Sequence, residues 1–194
     1  MRPIIFVRVI TITIVLTIIA LSLFLVMKRA EKTELPFYST LPDFEFVTQD
    51  SIPFDINGFY GKISVVDFMF TRCKGPCPVM VVNMGDLYKE FERDSNIQFI
   101  SISVDPDFDS LSVLREYAES HGVTDDRWQF LSADMESVVA LCEDGFKLAA
   151  EDLPGSHSTK FILVDELANI RGYYSGIEGE AMNKLKTDII GLTR

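Results

Sequence analysis

Ile63-Ser64-Val65-Val66-Asp67-Phe68-Met69-Phe70-Thr71-Arg72-Cys73-Lys74-Gly75-Pro76-Cys77-Pro78 is the stretch on which the reading of this chain turns. Its first eight residues are apolar except for Ser64 and Asp67, the pattern of a strand covered on both faces. Downstream, Pro78–Arg93 places Val79, Val82, Leu87 and Phe91 at helical spacing. Two cysteines therefore stand where a buried strand hands over to a helix, and ligands gather at the carboxyl ends of such strands.

The elements on either side extend this pattern. Phe44–Val47 and Ile52–Phe54 flank Thr48-Gln49-Asp50 as a hairpin. Ile97–Val104 reads as a second core strand and Ser110–His121 as a helix capped by Asp109 or Ser110. Trp128–Leu131 is a short strand and Met135–Leu148 a helix. Thr159–Asp165 and Ile170–Tyr174 are two further strands, and Gly179–Ile190 closes the chain as a helix. The order ββ-βα-βα-βα-ββ-α predicts an α/β domain with a central mixed sheet flanked by helices.

The chain has 194 residues, 47% of them hydrophobic, and carries a net charge of −11. Val9–Met27 holds no ionisable residue over nineteen positions. As a helix it would be about 28 Å long, close to the thickness of a bilayer core. This predicts a short N-terminal segment (1–8), a transmembrane anchor (9–27), a linker with Pro36 and Pro42 (28–42) and one domain (43–194). Ala20-Leu21-Ser22 lies mid-run and makes a poor signal-peptidase site. The run is not followed by a cysteine, which argues against a lipoprotein anchor. Only eight residues precede it, too few for an organelle transit peptide. The expected location is a bacterial inner membrane, crossed once, with the domain on the periplasmic or other extracytoplasmic side.

Charge is divided unevenly. Residues 1–34 carry Arg2, Arg8, Lys28, Arg29 and Lys32 against Glu31 and Glu34, a net of +3, which leaves −14 on residues 35–194. An acidic body of this kind argues against phosphate-mediated binding of nucleic acid.

Cys73 and Cys77 admit three uses. If a helix began near Cys73, the thiols at i and i+4 would share one face, spaced to bind one metal ion. A helix N-terminus, with Arg72 and Lys74 nearby, would lower a thiol pKa and activate it for redox exchange. A plain stabilising disulfide is the third use, though so short a loop gains little from closure. A thiol peroxidase is remote, because no Thr-x-x-Cys pattern precedes a cysteine. Cys142 lies in a helical pattern beside Val138, Val139 and Leu141 and reads as a small buried apolar residue. His121 reads as a helix-end residue before Gly122, capping or solvated. His157 sits in a loop leading into the strand at Thr159, where it is either solvated or a third ligand. Two thiolates and an imidazole form a soft donor set suited to Cu(I) and able to hold Cu(II).

Together these residues resemble the SCO/SenC family, copper proteins that help assemble cytochrome c oxidase. The resemblance spans about residues 37–190. It rests on Gly61-Lys62, Asp67–Cys73, Cys77-Pro78, Ser103-Val104-Asp105-Pro106, Ser156-His157-Ser158 and Phe161–Asp165. It implies a thioredoxin-like fold that binds copper through Cys73, Cys77 and His157. It also implies a partner, either the copper-site subunit of cytochrome c oxidase or another cuproprotein, together with a copper donor and a thiol reductant. Members deliver copper, reduce client cysteines as thiol–disulfide oxidoreductases, or serve redox signalling; here these uses stay open. Asp105 reads either as a residue that orders the loop or as a simple Asp-Pro turn. Lys74 and Gly75 stand where the family usually has Pro and then an acidic residue, and Phe108 stands where it usually has Arg.

Overall fold

All seven residues of Ile63–Met69 (β4) and all seven of Ile97–Ser103 (β5) are buried, and the two strands run parallel in register from Ile63↔Ile97 to Met69↔Ser103. In the computed structural model, residues 12–23, 35–155 and 157–193 are described. Within the unit 35–194, Trp128–Ser132 (β6) adds parallel to β5, while Lys160–Val164 (β7) pairs antiparallel with β4. The complete sheet has eight strands. Ser39–Thr40 (β1) and Asn169–Ser175 (β8) lie beyond β7; Glu45–Thr48 (β2) and Pro53–Asp55 (β3) lie beyond β6. The spatial order is β1-β8-β7-β4-β5-β6-β2-β3, a mixed sheet as expected.

Alternation along the strands divides the core into two layers. Val65, Phe99, Trp128, Phe130, Phe161 and Leu163 belong to one. This layer includes buried residues of three helices, Cys77–Glu90 (α1), Leu111–Ser120 (α2) and Gly179–Leu192 (α4). Val66, Phe68, Ile100, Ile102, Leu131 and Ile162 belong to the other, with Val138 of Met135–Ala140 (α3) and Phe146. Burial on both faces explains why the strands read as near-continuous apolar runs.

Several elements differ from expectation. Residues 35–42, expected to finish a linker, belong to the domain. Ser39 and Thr40 pair with Ile170 and Asn169, and Leu41 is buried. A two-residue strand has no sequence period and shows only through its partner. The helix expected over 135–148 ends as α-helix at Ala140 and widens into a π-turn over Leu141–Gly145. The Phe146 N–H donates to the Leu141 carbonyl at 2.9 Å. A Cβ at Gly145 would stand 2.7 Å from Leu141 Cδ1 and 3.3 Å from Pro42 Cδ, so any larger residue would have to displace the leucine side chain.

Residues 12–23 are helical and belong to a separate unit, Met1–Glu34. Among the described residues, no helix is long and apolar enough to cross a membrane. The remainder of the anchor expected over 9–27 lies outside the described residues, as do residues 28–34 of the expected linker.

Candidate metal centre

A turn, a helix start and a loop at the carboxyl end of β4 build the site. Phe70–Cys73 forms a turn directly after β4, with the Cys73 N–H donating to the Phe70 carbonyl at 3.2 Å. Cys77 opens α1, with Pro76 as its N-cap and a proline in the first turn. The helix therefore starts four residues later than the shared-face reading of the thiols required. Pro76 disfavours helical geometry at Gly75, so the chain cannot run helically from Cys73. It is a bend, rather than one helical turn, that brings the two thiols together.

His157 arrives from the loop before β7, the antiparallel neighbour of β4. Its Nε2 lies 3.2 Å from Cys77 Sγ and 3.9 Å from Cys73 Sγ. All three donor atoms fall within 4.8 Å of one another, and this is the one such His/Cys/Asp/Glu group among the described residues. The Nδ1–H donates to the Ser158 carbonyl at 3.1 Å, which leaves the Nε2 lone pair directed at the thiols. Phe70 packs edge-on against the imidazole at 5.4 Å, and the residue is 8% exposed. Burial holds the His157 pKa below the ordinary imidazole value, so the ring is neutral at pH 7. A neutral, oriented imidazole beside two thiols is ready to bind a soft metal.

Cys77 departs from the expected activation. Its thiol is pushed up to about 12, first by burial, then by its hydrogen bond to Cys73, with the Asp67 charge adding to the rise. Desolvation outweighs the backbone hydrogen bond at Phe70 that acts to lower it. Arg72 does not act as a free charge, because it forms a two-pronged ion pair with Asp105 at 2.6 and 3.2 Å. Its guanidinium also lies 4.6 Å over the ring of Phe108. Asp105 is thus a loop-ordering residue as well as part of an Asp-Pro turn. Lys74 and Gly75 are exposed.

His121 ends α2, its Nδ1–H donating to the Tyr117 carbonyl at 2.8 Å. Cys142 is buried in the π-turn, in the opposite core layer from Cys77. Two features of the site were not singled out from sequence: Asp67, buried in the same core layer as Cys77, and the grip of Asp109 on Thr71. Asp67 did leave a signal, as the one acid in an apolar run.

The SCO1/SenC family model matches residues 32–191. The chain belongs to the SCO1/SenC family. A SCO1/SenC family lipoprotein from Bacillus anthracis superposes with a TM-score of 0.73 at 32% identity, covering 80% of this chain and 96% of that one. BsSco is described as a Sco family cytochrome c oxidase assembly protein with a disulfide switch. It superposes with a TM-score of 0.74 at 24% identity, over 84% and 98% of the two chains. Copper-bound ScoI from Bradyrhizobium japonicum gives 0.64 at 20% identity, over 77% and 99%. The thioredoxin-like fold implied by the sequence is the fold of these SCO1/SenC relatives.

Proposed function

We propose that this SCO1/SenC protein is a copper-binding assembly factor that holds one copper ion through Cys73, Cys77 and His157. The observation that carries the reading is the convergence of two sulfurs and a freed imidazole Nε2 within 4.8 Å. Structural zinc sites prefer four protein ligands, whereas three soft donors satisfy Cu(I). Because Cys77 is protonated at neutral pH, copper loading must displace its proton. The copper is cargo, and its recipient is the copper site of cytochrome c oxidase or another cuproprotein; BsSco is described as a cytochrome c oxidase assembly protein. The apolar run Val9–Met27 holds the domain outside the cytoplasm at a bacterial inner membrane. Deleting residues 1–34 is expected to move the chain from the membrane fraction to the soluble fraction.

A second reading, thiol–disulfide exchange, is favoured by the closeness of the two free thiols, whose sulfurs lie within 4.8 Å of each other. A disulfide switch is described for BsSco. Titrating the reduced full-length chain with copper separates the two readings. One equivalent bound, with affinity falling roughly 100-fold or more in His157→Ala (about 2.7 kcal/mol), supports the copper site. Affinity unchanged in His157→Ala would remove the histidine from it. No copper bound, alongside rapid reduction of a disulfide substrate, would leave the second reading standing.

A further inference from the structure

The turn that carries Cys73 is gripped by the loop after β5, on the other side of β4 in the sheet from β7, which the His157 loop precedes. Asp109 is fully buried in the loop after β5. Its carboxylate accepts the Thr71 hydroxyl at 2.5 Å and the Thr71 N–H at 3.2 Å. It also accepts the Ser103 hydroxyl at 2.7 Å, and Ser103 in turn accepts the Asp105 N–H. Ser103 is fixed in register against Met69, the last residue of β4. The loop itself is a tight turn, with the N–H groups of Phe108 and Asp109 both donating to the Asp105 carbonyl at 3.0 and 2.8 Å. The carboxylate of Asp109 thus ties the rigid end of β5 to the turn two residues before Cys73.

We propose that Asp109 and Thr71 form a positioning clamp that sets where Cys73 presents its sulfur to copper. This inference rests on the copper reading above. Cys77 is held by α1 and His157 by its own loop, so Cys73 is the donor whose place depends on the clamp. The Arg72–Asp105 ion pair grips the next residue of the turn, but Arg72 is half-exposed and solvent weakens that contact. The buried Asp109 carboxylate, with three charge-assisted hydrogen bonds, is the stronger tether. Outer-shell groups that orient a ligand commonly change metal affinity by about 10–100-fold.

The test uses the full-length chain with Thr71→Val, which keeps the shape and loses the hydroxyl, and Thr71→Ser, which keeps the hydroxyl. Asp109→Asn is a third variant, read only if it folds. Copper affinity, the sulfur-to-Cu(II) charge-transfer band, and iodoacetamide alkylation of Cys73 in the metal-free reduced chain are measured, with thermal unfolding as the control. Thr71→Val is expected to lower copper affinity about 10–100-fold. It should also shift the band and change the Cys73 alkylation rate several-fold, with the melting temperature lowered by a few degrees and the chain still folded. Thr71→Ser should match the parent in every measurement. The clamp is overturned if Thr71→Val behaves as the parent does, or if Thr71→Ser fails as Thr71→Val does. If the parent binds no copper, the copper reading fails by itself. The alkylation comparison then still decides whether Thr71 positions Cys73.

Discussion

Cys77→Ser is expected to abolish tight copper binding, lowering affinity by roughly 1,000-fold or more, about 4 kcal/mol, while the chain still folds. Serine nearly matches cysteine in shape, so the start of α1 and its packing should survive. What is lost is the soft donor: a hydroxyl oxygen is hard, stays protonated and is a poor partner for Cu(I). Cys77 is 3% exposed and stands nearer to His157 Nε2 than Cys73 does, 3.2 Å against 3.9 Å. Its loss leaves one thiol on a turn and one imidazole, and no other His, Cys, Asp or Glu among the described residues completes the group. Cys142→Ala is the matched control. That thiol lies in the other core layer, so copper affinity should stay within about twofold of the parent, well under the 1.4 kcal/mol of a tenfold change. Competition with a Cu(I) chelator measures all three chains. Parent-like affinity in Cys77→Ser would place the copper elsewhere.

The residues that were legible and those that were not differ in a physical way. The strands β4 and β5 declared themselves because burial on both faces demands apolar side chains at every position, a demand that is local in sequence. Cys73 and Cys77 stood out because a thiol pair beside prolines at a strand end is itself a local pattern. The helical spacing from Pro78 places the start of α1 within one residue of Cys77; only the conditional shared-face arrangement of the two thiols fails, because Pro76 restricts Gly75. The approach of His157 to the thiols crosses 80 residues of chain, and only the pairing of β7 with β4 explains it. The Thr71–Asp109 contact crosses 38 residues and depends on the β4–β5 register, which no periodicity encodes. The expected lowering of the Cys77 pKa failed for a related reason. Helix ends and basic neighbours are visible in sequence, but depth of burial is not.

The same burial makes Asp67 the source of the second large effect. Its carboxyl is 3% exposed and is pushed up to about 7 from an ordinary value of 3.8, chiefly by desolvation. The Ser101 hydroxyl, donating at 2.7 Å, only partly offsets this, and the same hydroxyl accepts the Trp128 Nε1–H at 3.0 Å. Asp67 lines a void of about 10 Å³ with Cys77 of α1, Tyr117 of α2, Ser101 of β5 and Trp128 of β6. No cation is among these groups. A carboxyl with a folded pKa above its unfolded value binds more protons in the native state. Its contribution to stability is therefore lost as pH rises from about 4 through about 7. A rise of that size corresponds to at most about 4 kcal/mol. Asp67→Asn removes the titration and keeps an acceptor for Ser101, but leaves an amide NH2 facing the void, which costs about 1–3 kcal/mol. The variant is accordingly expected to be more stable than the parent at pH 8, by about 1–3 kcal/mol. At pH 5, where the folded carboxyl is neutral but the unfolded one is already ionised, the two chains should lie within about 1 kcal/mol of each other. His157 titrates in both chains and cancels in the difference. Chemical denaturation of the metal-free chains at the two pH values measures the effect. Stability differences that stay the same from pH 5 to pH 8 would show that Asp67 is ionised in the folded protein throughout.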